Sequence, residues 1–339
     1  MSETLKVFIP MAGWGTRMRP HTWSKPKPLV TVAGKTSLEH LMDMFVSLPD
    51  PANVEYVFII GPYLGEQQIP PFIEAHYPDI SAHFVVQREM KGQSHALWLA
   101  REHMRGPMLM CFSDSLLETD FGFLASEAAD GVAWVMPVPD PRRFGVAELN
   151  AEGWVTRFIE KPKTLENNLA LAGCYYFKSA PSLLAAIEEQ MQRGVTLKNE
   201  YFLADAITLI LGTGAKVRTE RVASWLDTGA VEATLDTNRV LLGRLSEEKE
   251  QREGVTVFGP VFIHPSAKVS ESVIGPFVSI GPNCDISGSR IEDSILEEGV
   301  QVQDTALIRS IIGKGASVTG RAGDHPLSLN IGDSSSVVY

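Results

Sequence analysis

Residues 11 to 29 read Met-Ala-Gly-Trp-Gly-Thr-Arg-Met-Arg-Pro-His-Thr-Trp-Ser-Lys-Pro-Lys-Pro-Leu, a stretch whose residue types suit anion chemistry. Gly13 and Gly15 permit positive φ and let a ligand approach backbone N–H groups, so that the loop from Ala12 to Thr16 can cradle phosphate oxygens. Arg17 offers a planar fork of donors for two phosphate oxygens. Lys27 offers a compact charge held between two prolines that restrict its backbone. Together they suit a triphosphate. Other glycine-rich motifs do not fit: a dinucleotide GxGxxG would need Gly where Met18 stands, and a P-loop ending at Gly34-Lys35-Thr36 would need Gly where Leu29 stands. A bare Gly-x-Gly turn is usually only a strand-to-helix connection. The Thr-Arg and Lys-Pro-Lys-Pro-Leu that follow at these offsets argue for a site.

Short runs rich in Val, Ile and Phe must position that loop: Val7 to Met11, Val54 to Ile60, His83 to Gln87, Met108 to Phe112 and Ala133 to Val138. They alternate with helical spacing at Ser37 to Leu48 and Ser94 to Arg105, the rhythm of an α/β sheet, whose ligands bind beyond the carboxyl ends of strands. Between Phe144 and Phe177 strands follow one another without helices, as in a β-rich insertion over the sheet. Helical patterns return at Ser182 to Gln192 and Ala204 to Leu211. A strand near Val222 to Leu226 then leads to a long helical run, Val231 to Glu250, able to join two domains.

After Val255 the texture becomes a repeat. Apolar residues recur at Val257, Ile263, Val269, Ile274, Ile280, Ile286, Ile291, Leu296, Val302, Ile308, Ile312 and Val318, in steps of five or six with one of four. Hexapeptide spacing of this kind builds a β-helix, whereas sandwich strands alternate with period two. Leu327, Leu329 and Ile331 alternate with polar residues, so Gly320 to Tyr339 is expected to cap its end.

With 339 residues and 44% apolar composition, two folded domains are expected. A net charge of −11 excludes a large electrostatic grip on polymeric nucleic acid. A locally positive cleft remains compatible with an acidic chain, and Arg17, Arg19, Lys25, Lys27 and Lys35 cluster early. The amino terminus has no basic flank before an apolar stretch, and no run suggests a membrane span, so a cytoplasmic protein is expected. The three cysteines, Cys111, Cys174 and Cys284, form no CxxC pair, so free buried thiols are expected rather than a disulfide or zinc framework.

GxGTRxxPxT followed by KPKPL resembles the signature of the sugar-1-phosphate nucleotidylyltransferases, and further matches follow in family order from about residue 4 to 245. Gln87 to Ala96 is similar to the nucleobase segment and Phe112 to Ser115 to the metal segment. Phe144 to Glu148, Ile159 to Lys163, Leu171 to Tyr175, Asn199 to Tyr201 before Asp205-Ala206, and Trp225 to Gly229 are similar to later ones. Members of the family often carry a left-handed β-helix behind the catalytic domain. The resemblance thus implies a Rossmann-like α/β nucleotidyltransferase domain with a mixed sheet over 1–245, a linker at 246–254, and a left-handed parallel β-helix with its cap over 255–339. Trp14, Ser113 and Ser115 depart from the residues usual at their positions.

The implied reaction is an in-line attack of a hexose 1-phosphate on the α-phosphorus of a nucleoside triphosphate, releasing pyrophosphate, which demands neutralisation of crowded anions. A phosphate monoester loses its second proton near pH 6, so no general base is required. By the resemblance, Arg17, Lys27 and Lys161 are catalytic, and Ala12, Gly13, Gly15, Thr16, Gln87 and Gly92 bind the nucleotide. Gly145, Glu160, Lys161, Leu171, Gly173 and Glu200 bind the sugar phosphate. Asp114 and Asp227 hold Mg²⁺. Pro162 is expected to bend the chain so that Glu160 and Lys161 both serve, while His95 and Met90 read as packing residues.

Glucose 1-phosphate with dTTP or UTP is the favoured pair, and mannose 1-phosphate guanylyl transfer the alternative. A homo-oligomer is expected. A hexapeptide acyltransferase is disfavoured, because His264 is the only histidine of the repeat and no insertion loop is visible. A regulatory subunit that senses nucleotide sugars would have lost Arg17, Lys27, Asp114 or Asp227, and all four are present.

Overall fold

Runs rich in apolar and aromatic residues at Lys6–Met11, Glu55–Ile60 and Met108–Cys111 form parallel strands buried on both faces, as strands covered by helices must be. In the computed structural model, which describes residues 4–245, 253–320 and 325–339, the chain divides into two compact units. Neither unit is a single stretch of sequence: one comprises Met1–Gly13 and Leu41–Trp225, the other Trp14–His40 and Leu226–Tyr339.

The first unit is built on a nine-stranded mixed sheet. Lys6–Met11, Glu55–Ile60, Ser81–Val86 and Met108–Cys111 run parallel. Leu169–Phe177 pairs antiparallel with Met108–Cys111, and also antiparallel with Gly131–Pro137 and Gly145–Leu149. Gly145–Leu149 in turn carries Val155–Glu160. The residues expected to form an insertion over the sheet therefore extend the sheet itself. Leu169–Phe177 is buried along nearly its whole length, which only a central strand requires. The strand expected at Val222 to Leu226 is found as Val217–Arg221, parallel to Gly131–Pro137, and Trp225–Asp227. Helices Gln93–Leu99, Ala180–Gln192 and Leu203–Gly212 cover the sheet around Phe8, Val57, Ile59, Met108 and Met110, all 0% exposed. The helix Leu64–His76 is unannounced in the sequence, because Pro70 and Pro71 lie within it.

Sheet register places Cys174 opposite Cys111. Their sulfurs lie 2.8 Å apart, both thiols being free and buried, and burial, then Cys111, push the Cys174 thiol well up.

The second unit holds the left-handed parallel β-helix. Its three sheets start from Val255–Val257, Val261–Ile263 and Lys268–Ser270, each continued by parallel strands. Ile274, Ile280, Ile286, Ile291, Leu296, Val302, Ile312 and Val318 point inward as expected, each at most 1% exposed. One position differs: Leu307, not Ile308, stacks on Ile291, and Leu307 is 1% exposed. With Leu307 inward, the irregular step of four disappears.

The carboxyl-terminal segment does not stop the ladders. Asn330–Ile331 and Ser336–Val338 add to two sheets and Leu327 bridges Leu307, making a fifth coil. The helix expected to reach Glu250 is described as Val231–Leu242. Residues 246–252, which include most of the expected linker, and residues 321–324 lie outside the described residues. Among the described residues no helix is long and apolar enough to cross a membrane.

Candidate active site

The signature loop turns on Gly15, whose φ of 60° is left-handed. A Cβ there would lie 2.9 Å from Thr22 Cγ2 and 3.2 Å from Lys27 Cβ, so glycine alone lets the loop fold back with Lys27 against its first turn. Thr22 Oγ1 and the Met18 N–H both donate to the Gly15 carbonyl, each at 2.8 Å. Met18 is fully buried and anchors the turn, while Thr16 and Arg17 are exposed. Lys27 is half-buried at the start of the 3₁₀ turn Lys27–Leu29, and its carbonyl accepts from Val30.

Within the same unit, Asp227 ends the strand Trp225–Asp227. Its Oδ1 accepts from the Gly229 N–H at 2.6 Å, and its carbonyl accepts from Thr237 Oγ1 at 2.9 Å. The first bond orients the carboxylate, and the second fixes the backbone that carries it.

In the first unit, Gln87 follows the strand Ser81–Val86 and is 5% exposed. Its Nε2 donates to the Gly92 carbonyl at 3.1 Å and lies 3.2 Å from His95 Nδ1. A carbonyl can only accept, so the amide nitrogen must face Gly92, which settles the orientation of the amide. His95, read as packing, thus touches the residue expected to read the base. Burial, then the Lys91 charge, lower its pKa. Facing the Gln87 amide donor, Nδ1 accepts. Gly92 has φ 94°, and a Cβ there would lie 2.5 Å from the Tyr201 carbonyl oxygen. The close approach it permits is therefore to the Tyr201 backbone. Met90 is half-buried.

Asp114 sits half-buried at a turn between the strands Met108–Cys111 and Ser115–Leu117. Gly173, with φ 78°, underlies that turn: a Cβ there would lie 2.8 Å from both Phe112 Cδ2 and Ser115 Oγ, and its carbonyl accepts from the Phe112 N–H at 2.9 Å. The resemblance assigns Gly173 to the hexose; the contacts present support the Asp114 turn.

Gly145, Glu160 and Leu171 converge, since a Cβ on Gly145 would meet Leu171 Cδ1 at 3.0 Å and Glu160 Oε2 at 3.2 Å. The bend expected at Pro162 occurs one residue earlier. Lys161 adopts φ 48° and its N–H donates to the Phe144 carbonyl at 3.0 Å, which ends the pairing and turns the side chain back to the side of Glu160. Lys161 Nζ lies 3.3 Å from Glu160 Oε1 and 5.6 Å from the centre of the Phe202 ring. Glu200 is exposed on a turn whose Lys198 and Asn199 are left-handed. The next residue pins this turn beside the base segment, Tyr201 N–H donating to Lys91 O at 2.8 Å and Ser94 N–H to Tyr201 O at 3.1 Å.

Sequence reasoning gave no role to Phe202 or Asp205. Burial, then Glu160, raise the Asp205 carboxyl. A signal for both existed in their place directly after Asn199-Glu200-Tyr201. Among the described residues no group of three or more His, Cys, Asp or Glu side chains is gathered for a metal.

Comparison with known proteins gives this geometry its context. The chain belongs to the nucleotidyl transferase family, whose model matches residues 6–243, while residues 257–323 match the GMPPB C-terminal domain. Within that family it stands with the sugar-1-phosphate nucleotidyltransferases, and it is a transferase. The chain is 29% identical to the low-salt glycan biosynthesis nucleotidyltransferase Agl11 of Haloferax volcanii, over 94% of this chain and 95% of that one. It is 27% identical to glucose-1-phosphate thymidylyltransferase of Streptomyces griseus, over 98% of each. A solved UDP-glucose pyrophosphorylase shares the fold with a TM-score of 0.58, 19% identity, and coverage of 72% of this chain and 100% of that one.

Proposed function

We propose that the protein transfers a nucleoside monophosphate from a nucleoside triphosphate to a hexose 1-phosphate, with glucose 1-phosphate and dTTP or UTP as the favoured pair. The observation that carries this reading is the folded-back signature loop. It brings the half-buried Lys27 against Gly15 and leaves Thr16 and Arg17 exposed, so two cations and the turn of the glycine loop lie together in one short segment. Arg17 and Lys27, with Ala12, Gly13, Gly15 and Thr16, bind the triphosphate and offset the charge that builds up at its α-phosphorus. Gln87, held by Gly92 and His95, presents its amide oxygen to an N–H on the edge of the base. Lys161 receives the phosphate of the sugar, and Glu160 and Glu200 accept from its hydroxyls, while Gly145 and Leu171 line the hexose.

Asp114 and Asp227 are the carboxylates for Mg²⁺. Two carboxylates, that of Asp227 oriented by the Gly229 N–H, are the donor set suited to an ion that takes its remaining ligands from phosphate oxygens and water. When bound, the ion would supply further charge neutralisation on the phosphates. The catalytic residues belong to 1–245, followed by the linker 246–254 and the β-helix 255–339. We place the reaction in the cytoplasm, where triphosphates are made, and in a homo-oligomer.

A grid of nucleoside triphosphates against sugar 1-phosphates, read by pyrophosphate release, tests this reading. Release with glucose 1-phosphate and dTTP or UTP is expected, and no release with any pair would overturn it in favour of a sensing subunit. The match of residues 257–323 to the GMPPB C-terminal domain favours a second reading, guanylyl transfer to mannose 1-phosphate. The same grid decides between them.

A further inference from the structure

Several polar groups of the β-helix, the buried Glu297 foremost, converge on the signature loop. Glu297 lies on the third coil of the β-helix with its side chain 2% exposed, and its carboxylate pairs closely with Lys25 Nζ. It also accepts from the backbone N–H groups of Lys314 at 3.2 Å and Thr31 at 3.4 Å. On the fifth coil, Asp333 accepts from Ser24 Oγ at 2.6 Å and from Lys314 N–H at 2.9 Å, and lies 3.4 Å from Lys25 Nζ. Asn330 Oδ1 meets His21 Nε2 at 2.5 Å while its Nδ2 reaches the Arg19 carbonyl at 3.5 Å. Gly332 completes the contact, since a Cβ there would lie 3.0 Å from Pro20 Cβ.

These bonds take hold of the chain just after Arg17 and on both sides of Lys27. Lys25, enclosed by two carboxylates, has its charge committed to the β-helix. A loop of this composition has little regular hydrogen bonding of its own to keep one shape. A buried carboxylate with several donors supplies a fixed anchor, because detaching it would strand a charge away from water.

We propose that Glu297, seconded by Asp333 and Asn330, is a positioning residue for nucleotidyl transfer. The third and fifth coils hold the signature loop in the form that presents Arg17 and Lys27 to the triphosphate, which makes the β-helix part of the scaffold of the nucleotide site. This rests on the assignment of Arg17 and Lys27 to the triphosphate.

Hydrogen exchange and steady-state kinetics on the full-length Glu297→Gln and Asp333→Asn variants test the proposal together. In Glu297→Gln, amide exchange across residues 15 to 31 should rise about tenfold or more, while the strand Glu55–Ile60 keeps wild-type exchange. The KM for the triphosphate should rise about tenfold, and that for the sugar phosphate should stay within about twofold. Asp333→Asn should show the same pattern more weakly, and it carries the test if Glu297→Gln does not fold. Unchanged exchange in the loop would overturn the proposal. So would exchange raised equally along the whole chain, or both KM values rising together, because either would mean a general loss of stability. If the wild-type protein releases no pyrophosphate with any substrate pair, the functional reading fails, yet the exchange measurement still decides whether the coils hold the loop.

Discussion

Individual side chains carry the sharpest tests. Asp114→Asn and Asp227→Asn should each lower kcat about 10²- to 10³-fold with the unfolding midpoint unchanged, since each removes one of the two carboxylates proposed to hold Mg²⁺ at the phosphates. Turnover within about threefold of wild type in both variants at limiting Mg²⁺ would remove them from that role. The cations should separate by substrate: Lys161→Ala raises the KM for the sugar phosphate, whereas Lys27→Ala and Arg17→Ala weaken the triphosphate and the chemical step. Each lost charge-assisted bond is worth about 1.5 to 3 kcal/mol, which spectator charges on the surface would not approach. His21 offers a test by pH. It is 0% exposed, its Nδ1 has no hydrogen-bond partner among the described residues, and burial lowers its pKa from the usual 6.5 against the opposing pull of Asn330. The folded chain therefore takes up this proton less readily than the unfolded chain. The stability linked to His21 is whole above about pH 6.5, falls as the pH drops below that, and levels off below the lowered folded value. Urea unfolding at pH 7.5 and 5.5 should show a smaller acid loss in His21→Asn than in wild type, and equal losses would refute the linkage.

At the scale of elements, the β-helix is held by two repeating devices. One is the inward stack of apolar residues. The other is a ladder of corner hydroxyls: Ser272 Oγ accepts from Ser289 N–H at 3.1 Å, and Ser289 Oγ accepts from Thr305 N–H at 3.2 Å. A second corner repeats it from Ser294 to Ser310 and from Ser310 to Leu329. These buried hydroxyls satisfy backbone donors where the chain turns, so the coil length tolerates steps of five as well as six. The same registration decides between Leu307 and Ile308. Leu307→Ala should cost about 2–5 kcal/mol in urea unfolding, whereas Ile308→Ala, at a half-buried position, should cost clearly less. The opposite order would mean that Ile308 holds the inward place.

For the molecule as a whole, the grouping of Trp14–His40 with Leu226–Tyr339 alters what truncation should do. Val32 and Leu235 are buried against Ile295 and Ile311, and Glu297 holds Lys25. A chain ending at Leu245 keeps Arg17, Lys27, Asp114 and Asp227 but loses those partners. It should be less soluble, and its pyrophosphate release should fall by about tenfold or more, as expected when a positioning scaffold is removed. Light scattering and turnover on the truncated chain check this. A soluble fragment of unchanged mass and full activity would show that the β-helix serves neither assembly nor the site.

Local rules made much of this protein legible. The strands Lys6–Met11, Glu55–Ile60 and Met108–Cys111, the six-residue rhythm of the β-helix and the turn of the signature loop at Gly15 all follow from neighbouring residues: apolar period and turn glycines. What the sequence left open depends on partners distant along the chain. Cys111 meets Cys174, Leu307 takes precedence over Ile308, and the strands Gly145–Leu149, Val155–Glu160 and Leu169–Phe177 join the main sheet, because register across a sheet is set by which edge is available. Gly92 and Gly173 are glycine for the sake of Tyr201 and of Phe112 with Ser115, contacts that no local pattern encodes. The attachment of Lys25 to Glu297 spans 272 positions of sequence, so tertiary packing alone decided that the β-helix bonds to the loop that the amino-terminal signature marks.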